Sequence, residues 1–306
     1  MDAVSLTAVR DRIGSLKAYL DGTHRLVHPS VTVARVRAVA HELGITRVAN
    51  ITGLDRLGIP VVSVCRPNSR SVAVSMGKGL SLEAAMASGM MEAAEGYHAE
   101  RVARPVLRST LEELDAKRAV VDVWRLPALP DTSFRPDLPI LWVAGADLAC
   151  GGERWVPYEL VHTDYRKPLP EGSGCFTASS NGLASGNHPL EAILHGLCEV
   201  VERDCLVCWD EATPNECDAR RVDLASVDDP ACRELLGRFG GAGLSVGVWD
   251  ITSEVGLPTF MCWLVEAGPA ATAACPVSGQ GCHLVREVAL ARALTEAAQA
   301  RLTVIT

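Results

Sequence analysis

The chain has 306 residues, 48% of them hydrophobic, and a formal net charge of −8. That suffices for a sizeable core in one large domain or two intimate ones. The acidic balance, without any basic run, excludes nucleic acid or an anionic membrane as the main partner. No apolar run reaches the ~18 residues of a membrane span. The start, Met1-Asp2-Ala3-Val4-Ser5, has neither a basic nor an apolar leader region, so a cytoplasmic protein is expected.

Taken in order, the chain predicts a helix over Leu6–Leu20, stopped at Asp21-Gly22, and another from Thr32 through Leu43, stopped by Gly44. Strands are expected at 48–52, 59–64 and 70–75. Ser75-Met76-Gly77-Lys78-Gly79-Leu80-Ser81 then reads as a glycine loop opening a helix from Ser81 to about Ala103. Free N–H groups at such a place cradle anions. A plain capped turn is the alternative, and the Walker A order is absent. The helix behind it carries Glu92-Ala93-Ala94-Glu95, two carboxylates on one face. Strands follow at 120–124, 140–144 and 156–162. Between the first two lies a proline-rich segment, 126–139, that reads as a lid or a connector.

The organising stretch is 179–203. A polar glycine-bearing turn leads into a long helix with Asn187 or His188 as N-cap and Pro189 in the first turn. Leu190, Ile193, Leu194, Leu197 and Val201 recur at helical spacing and are expected to form its buried stripe. Glu191, His195, Glu199 and Glu202 share one quadrant. A solvated acidic face would explain these acids. Since the following Cys205-Leu206-Val207-Cys208-Trp209 is so apolar, the helix reads as internal. Buried carboxylates then require a cation, and hard divalent ions take oxygen ligands. Beyond it, strands are expected at 220–222, 244–249 and 258–265, a short helix near 231–239, and a last helix from about Val285 to Arg301. That helix places Arg292, Glu296 and Gln299 on one face. The eleven cysteines, among them Cys150, Cys175, Cys198, Cys262, Cys275 and Cys282, read as small core residues. The single Cys205-x-x-Cys208 has no second pair to complete a zinc site.

Ser180-Asn181-Gly182-x-Ala184-x-Gly186-Asn187, then Glu191, then Glu199-x-x-Glu202-Arg203, closely resembles the YcaO family of ATP-dependent enzymes that modify peptide backbones. Ala293-Leu-Thr-Glu-Ala-Ala-Gln-x-Arg301-Leu is similar to another family element. The run Arg47 to Pro60 looks most like members found with TfuA-type partner proteins. The resemblance covers about residues 35–305. It implies an α+β fold of mixed or antiparallel sheets packed with helices, a 1–34 N-terminal segment, and a YcaO-like domain over 35–306. The family usually continues further, so the resemblance leads one to expect that the C-terminal part of the usual family domain is missing.

The resemblance also implies ATP and Mg²⁺ as cofactors. Glu92, Glu95, Glu199 and Glu202 become the metal ligands, enough for two ions. Ser75, Lys78, Ser180, Asn181, Asn187, Glu191 and Arg203 become nucleotide-binding residues. Arg292 and Glu296 meet phosphates and metal as catalytic residues. In the family a nucleophile adds to an amide carbon, ATP phosphorylates the oxyanion, and phosphate leaves. An external sulfide gives a thioamide; a Cys, Ser or Thr side chain gives an azoline. The expectation is amide activation in a ribosomal precursor peptide or protein, giving a thioamide with a TfuA-like partner. Azoline formation, a non-catalytic YcaO-like scaffold and an acyl-phosphate-forming ligase are the alternatives, and assembly as a homodimer is left open.

Overall fold

The structure is a computed structural model, which describes residues 17–20, 22–266 and 276–306. Of the helix expected over Leu6–Leu20, residues 6–16 lie outside the described residues, as does Cys275, and Ala18–Leu20 is a strand. The contacts separate into two compact units.

The smaller unit holds, among the described residues, 68–73 and 95–183. Its sheet is β6 (Val106–Ser109), β7 (Ile140–Ala146) and β8 (Glu153–Pro157), antiparallel in that order. Trp142, Ile140, Leu114 and Phe176 form its core. Two expected strands give way here. Around 120–124 only Val120 bridges Trp155, and Val123–Arg125 is a 3₁₀ turn started by the Asp122 carboxylate on the Trp124 N–H. After Pro157 the chain turns through Tyr158–Leu160. Glu159 just inside that turn gathers the N–H groups of Gly174, Cys175 and Phe176.

The larger unit holds, among the described residues, 17–20, 22–67, 74–94, 184–266 and 276–306. It opens with the hairpin β1 (Ala18–Leu20) and β2 (Thr23–Arg25), then helix α1 (Pro29–Ala38). One antiparallel sheet is β3 (Arg47–Asn50), β4 (Val61–Cys65) and β5 (Val74–Lys78). The other has the order β11 (Val277–Cys282), β10 (Thr259–Glu266), β9 (Leu244–Asp250). The strand expected at 220–222 is reduced to one bridge, Arg221 to Trp249. Helix α2 spans Leu82–Ala99, α4 spans Pro189–Asp210, α6 spans Pro230–Gly241, and α7 spans Arg286–Ile305. The short helices α3 (Leu111–Asp115) and α5 (Pro214–Ala219) complete the set described here.

The expected glycine loop is a strand. Residues 74–78 pair with β4, so their N–H groups serve the sheet. Gly77 is required for another reason: a Cβ there would collide with the Ala85 carbonyl and the Gly89 backbone of α2. The same device seats α7 on β11, where side chains at Gly279 and Gly281 would strike the helix backbone at Ala293, Ala297 and Ala289. Around this contact Leu290, Leu294, Phe260, Phe239 and Leu235 form the largest core cluster. The α+β expectation matches this arrangement of antiparallel sheets and helices.

Candidate functional site

Helix α4 carries the site, and it begins as its sequence dictates. His188 is the N-cap, its Nδ1 accepting from the Leu190 N–H at 3.1 Å, and Pro189 fills the first turn. The acids it carries are buried, as an internal helix requires, but the expected apolar stripe is covered only in part. Glu191, Cys198, Glu202 and Cys205 are buried, whereas Leu197 and Val207 are 53% and 61% exposed and Leu190 is exposed too. Ile193, Leu194 and Val201 are half-buried. The acidic quadrant, not the leucine stripe, faces inward.

Glu191 serves main-chain donors with both oxygens. Oε2 accepts from the Asn187 N–H at 2.8 Å and Oε1 from the Leu26 N–H at 3.4 Å. Asn187 in turn donates to Thr32 Oγ1 and accepts from Arg35, both at 2.9 Å. The turn before α4 is thereby tied to α1 and to the end of the β1–β2 hairpin.

One helical stretch further, Glu202 Oε2 accepts from the Cys282 N–H at 3.0 Å, where β11 ends. Burial, and then the Glu296 carboxylate, raise its proton affinity more than Arg292, Arg203 and Lys78 lower it. Glu296 stands on α7. Burial raises its proton affinity, but Lys78 at 2.5 Å, the Gln280 N–H and Arg292 outweigh that and hold it below the usual range. Arg203 is 3.9 Å from both Glu199 and Glu202, too long for tight pairing.

Arg292 donates to His195 Nε2 at 3.0 Å. Because a guanidinium only donates, that nitrogen must be unprotonated. Burial first, then Arg292, Arg25, Lys78 and Lys17, push His195 down to about 3. Burial, followed by Arg292, His24, Lys17 and Arg25, pushes His283 down to about 4. Lys17, Arg25, Lys78 and Arg292 thus converge on a neutral imidazole, a concentration of like charge suited to an anion. Lys17 and Arg25 went unrecognised in the sequence because nothing about the residue before β1 or the end of the three-residue β2 marks a site. The hairpin's placement is what reveals them: the His24 and His283 rings are 5.7 Å apart.

These histidines set a pH dependence. In the unfolded chain they take up protons around the usual value of ~6.5 and in the folded protein they do not, so the unfolded state binds more protons as pH falls. Stability is present above that value and lost below it, by up to ~1.4 kcal/mol per pH unit for each group. Glu202 acts in the opposite direction nearer the carboxylate range, so the loss is cleanest between pH ~6.5 and ~5.5. Urea unfolding across that interval should show the decline, and His195→Asn should make it shallower, leaving the His283 share.

The remaining expected residues are placed as follows. Ser75 is buried on β5 opposite Val64, and Lys78 ends the same strand. Glu92 is exposed and Glu95 half-buried on α2; Glu95, Ser180 and Asn181 belong to the smaller unit. Among the described residues, no three His, Cys, Asp or Glu side chains gather closely enough to hold a metal ion. The donor set brought together in the larger unit nevertheless suits a hard divalent cation. Glu202 and Glu296 are all-oxygen ligands, and a second positive charge beside them would lower the raised proton affinity of Glu202. On the same face of α7, Gln299 Oε1 is a buried acceptor with no partner among the described residues.

A family model described as YcaO cyclodehydratase, ATP- and Mg²⁺-binding, matches residues 76–306. The chain belongs to the YcaO family. ATP and Mg²⁺ are accordingly the family's cofactors, and the fold is the YcaO ATP-binding fold.

Among YcaO relatives, the chain is 39% identical over 286 residues to an uncharacterized protein in the tfuA 3′ region of Rhizobium leguminosarum bv. trifolii, covering 92% of this chain and 67% of that one. It is 36% identical to an uncharacterized protein of Methanothermobacter thermautotrophicus, covering 91% and 71%. A heterocyclase solved in complex with substrate and cofactor superposes with a TM-score of 0.76 at 25% identity, over 94% of this chain and 42% of that one. YcaO from Methanopyrus kandleri, bound with AMPPCP and Mg²⁺, gives 0.69 at 24% identity, over 94% and 70%, and shares the fold. The chain spans about two thirds of the curated relatives and well under half of the heterocyclase chain. No described helix is long and apolar enough to cross a membrane.

Proposed function

We propose that this chain supplies the ATP-dependent, amide-activating part of a peptide-backbone-modifying enzyme, and that its product is a thioamide made with a TfuA-type partner in the cytoplasm. The observation that carries this reading is the buried Glu202 beside Glu296, enclosed by Lys78 and Arg292, in a chain 39% identical to a protein of a tfuA region. In this reading Glu202 and Glu199 hold Mg²⁺, with Glu92 and Glu95 assigned to metal on the family pattern alone. Lys78 and Arg292 neutralise phosphate charge. His195, unable to take a proton at neutral pH, keeps the Arg292 guanidinium fixed without competing for its charge. Glu296 positions Lys78. Ser75 and Asn187 are assigned to the nucleotide, as are Ser180, Asn181 and Arg203 on the family pattern. Glu191 supports them by holding the Asn187 turn. When bound, magnesium ATP supplies the phosphoryl group that turns the amide oxygen into a leaving group.

The likeness to a heterocyclase favours a second reading, in which a substrate Cys, Ser or Thr side chain attacks instead and an azoline forms. Mass spectrometry of the precursor peptide after incubation with the protein, ATP, Mg²⁺, sulfide and the TfuA-type partner separates the two. Exchange of oxygen for sulfur is the expected result. Loss of one water would replace thioamide with azoline. An unchanged peptide together with no ATP turnover would overturn both.

A further inference from the structure

Two stretches of the larger unit repeat one another in detail. The Ile51 N–H donates to the Val61 carbonyl at 3.1 Å, and the Ile251 N–H to the Thr259 carbonyl at 2.9 Å. Asn50 Oδ1 accepts from the Thr52 N–H and hydroxyl at 3.1 and 2.6 Å. Asp250 Oδ1 accepts from those of Thr252 at 3.1 and 2.5 Å. Each threonine hydroxyl oxygen in turn accepts, at 3.1 Å, the N–H that opens the next strand, at Val61 or Thr259. That strand pairs antiparallel in the same register in both, Val61 with Lys78 and Thr259 with Cys282. Just past the pairing strand, Gly79 or His283 donates to the proline ahead of its partner, Pro60 or Pro258.

The helices that follow are seated alike. A Cβ on Gly77 would strike the Ala85 carbonyl and the Gly89 nitrogen, and one on Gly281 the Ala289 carbonyl and the Ala293 nitrogen. Main-chain contact fixes how each helix is turned and shifted against its strand, so matching positions take matching headings. Three residues past Gly89 stands Glu92, and three past Ala293 stands Glu296. Glu92-Ala93-Ala94-Glu95 on α2 therefore matches Glu296-Ala297-Ala298-Gln299 on α7, and Gln299 holds the place that Glu95 holds in the first copy. A separate observation singles out the same side chain. Gln299 Oε1 is shut off from solvent and has no hydrogen-bond partner among the described residues.

We propose that Gln299 is an oxygen ligand of the divalent-ion site, the uncharged counterpart of Glu95. This rests on the metal reading of the glutamates given above. An amide oxygen offers a hard cation a lone pair as a carboxylate does, but without the charge. The difference matters at this position. Glu296 lies one turn back on the same face, and its charge already raises the proton affinity of Glu202. A further carboxylate at 299 would add to that repulsion in the empty site. The neutral amide instead leaves one buried acceptor unmet until a cation arrives, a cost to the unliganded fold.

The test uses Gln299→Met, which keeps the side-chain length and removes the oxygen, and Gln299→Glu, which restores the residue of the first copy. In calorimetry, Gln299→Met should bind AMPPCP with Mg²⁺ about tenfold more weakly or worse. Its affinity for AMPPCP without metal should equal the parent's. Gln299→Glu should match or exceed the parent with Mg²⁺, because the site needs an acceptor. With no ligand present, Gln299→Met should melt above the parent, since the unmet acceptor is gone. Parent-like binding of magnesium AMPPCP by Gln299→Met would overturn the inference. So would a lower unliganded melting temperature, which would show that the oxygen serves the fold. Equal loss of binding in both variants would show that the amide donates through Nε2 to phosphate, and would overturn it as well. A parent chain that binds no AMPPCP under any condition would remove the proposed function, and this inference with it.

Discussion

Glu202→Gln is expected to lower ATP turnover by ~10²–10³-fold, the size of losing a group that stabilises developing charge, without unfolding the protein. The substitution keeps the shape and retains an oxygen to accept the Cys282 N–H. What disappears is a negative charge that burial and Glu296 already disfavour, so the melting temperature should hold or rise. The ligand response gives the sharper contrast. Mg²⁺ with AMPPCP at ~100 times its dissociation constant should stabilise the parent chain by about 2.7 kcal/mol. The variant should lose most of that shift. A variant that turns over ATP at the parent rate, and melts with the same ligand shift, would remove Glu202 from the metal site.

Lys78→Met should cost stability as well as nucleotide binding, and the stability loss can be read without ligand. The ammonium is paired with Glu296, and the two side chains keep 20% and 27% of their exposure. Removing one partner of a fully buried pair costs ~3–5 kcal/mol. Residual solvent contact and the nearby Arg292 reduce the expectation here to about 1–3 kcal/mol. Glu296, deprived of its main counter-charge, would bind a proton more readily and lose its hold on the Gln280 N–H. Adding Glu296→Gln to Lys78→Met should restore most of the loss in urea titrations, because no uncompensated carboxylate remains. If Lys78→Met unfolds at the parent urea concentration, the pair contributes nothing to the fold and Lys78 is retained for ligand alone.

Much of this was legible in the residues, and the failures have physical causes. The angular spacing of Glu191, His195 and Glu202 placed them on one face, and His188-Pro189 marked where α4 starts. Periodicity identifies two unlike faces of a helix but not which is buried. Here backbone N–H donors for Glu202 and Glu191 overturn the hydrophobic assignment of Leu190 and Leu197. Strand β11 escaped notice because Val-Ser-Gly-Gln-Gly-Cys has little β character of its own. It is a strand because β10 pairs with it and α7 needs a surface without side chains. Gly77 and Gly79 suggested an anion cradle by the same ambiguity: a glycine that admits a phosphate and one that admits a neighbouring helix look alike in sequence. Cys150 is exposed rather than in the core, as a loop position after β7 allows.

The direct seating of α7 on β11 has a bearing on mutational tolerance. Arg292 and Glu296 take their positions from main chain touching main chain, with no compressible side chain between. Enlarging or shrinking distant apolar residues should therefore leave the spacing from Glu296 to Glu202 largely undisturbed. The molecule can drift in composition around these side chains, provided two glycines in one strand stay bare.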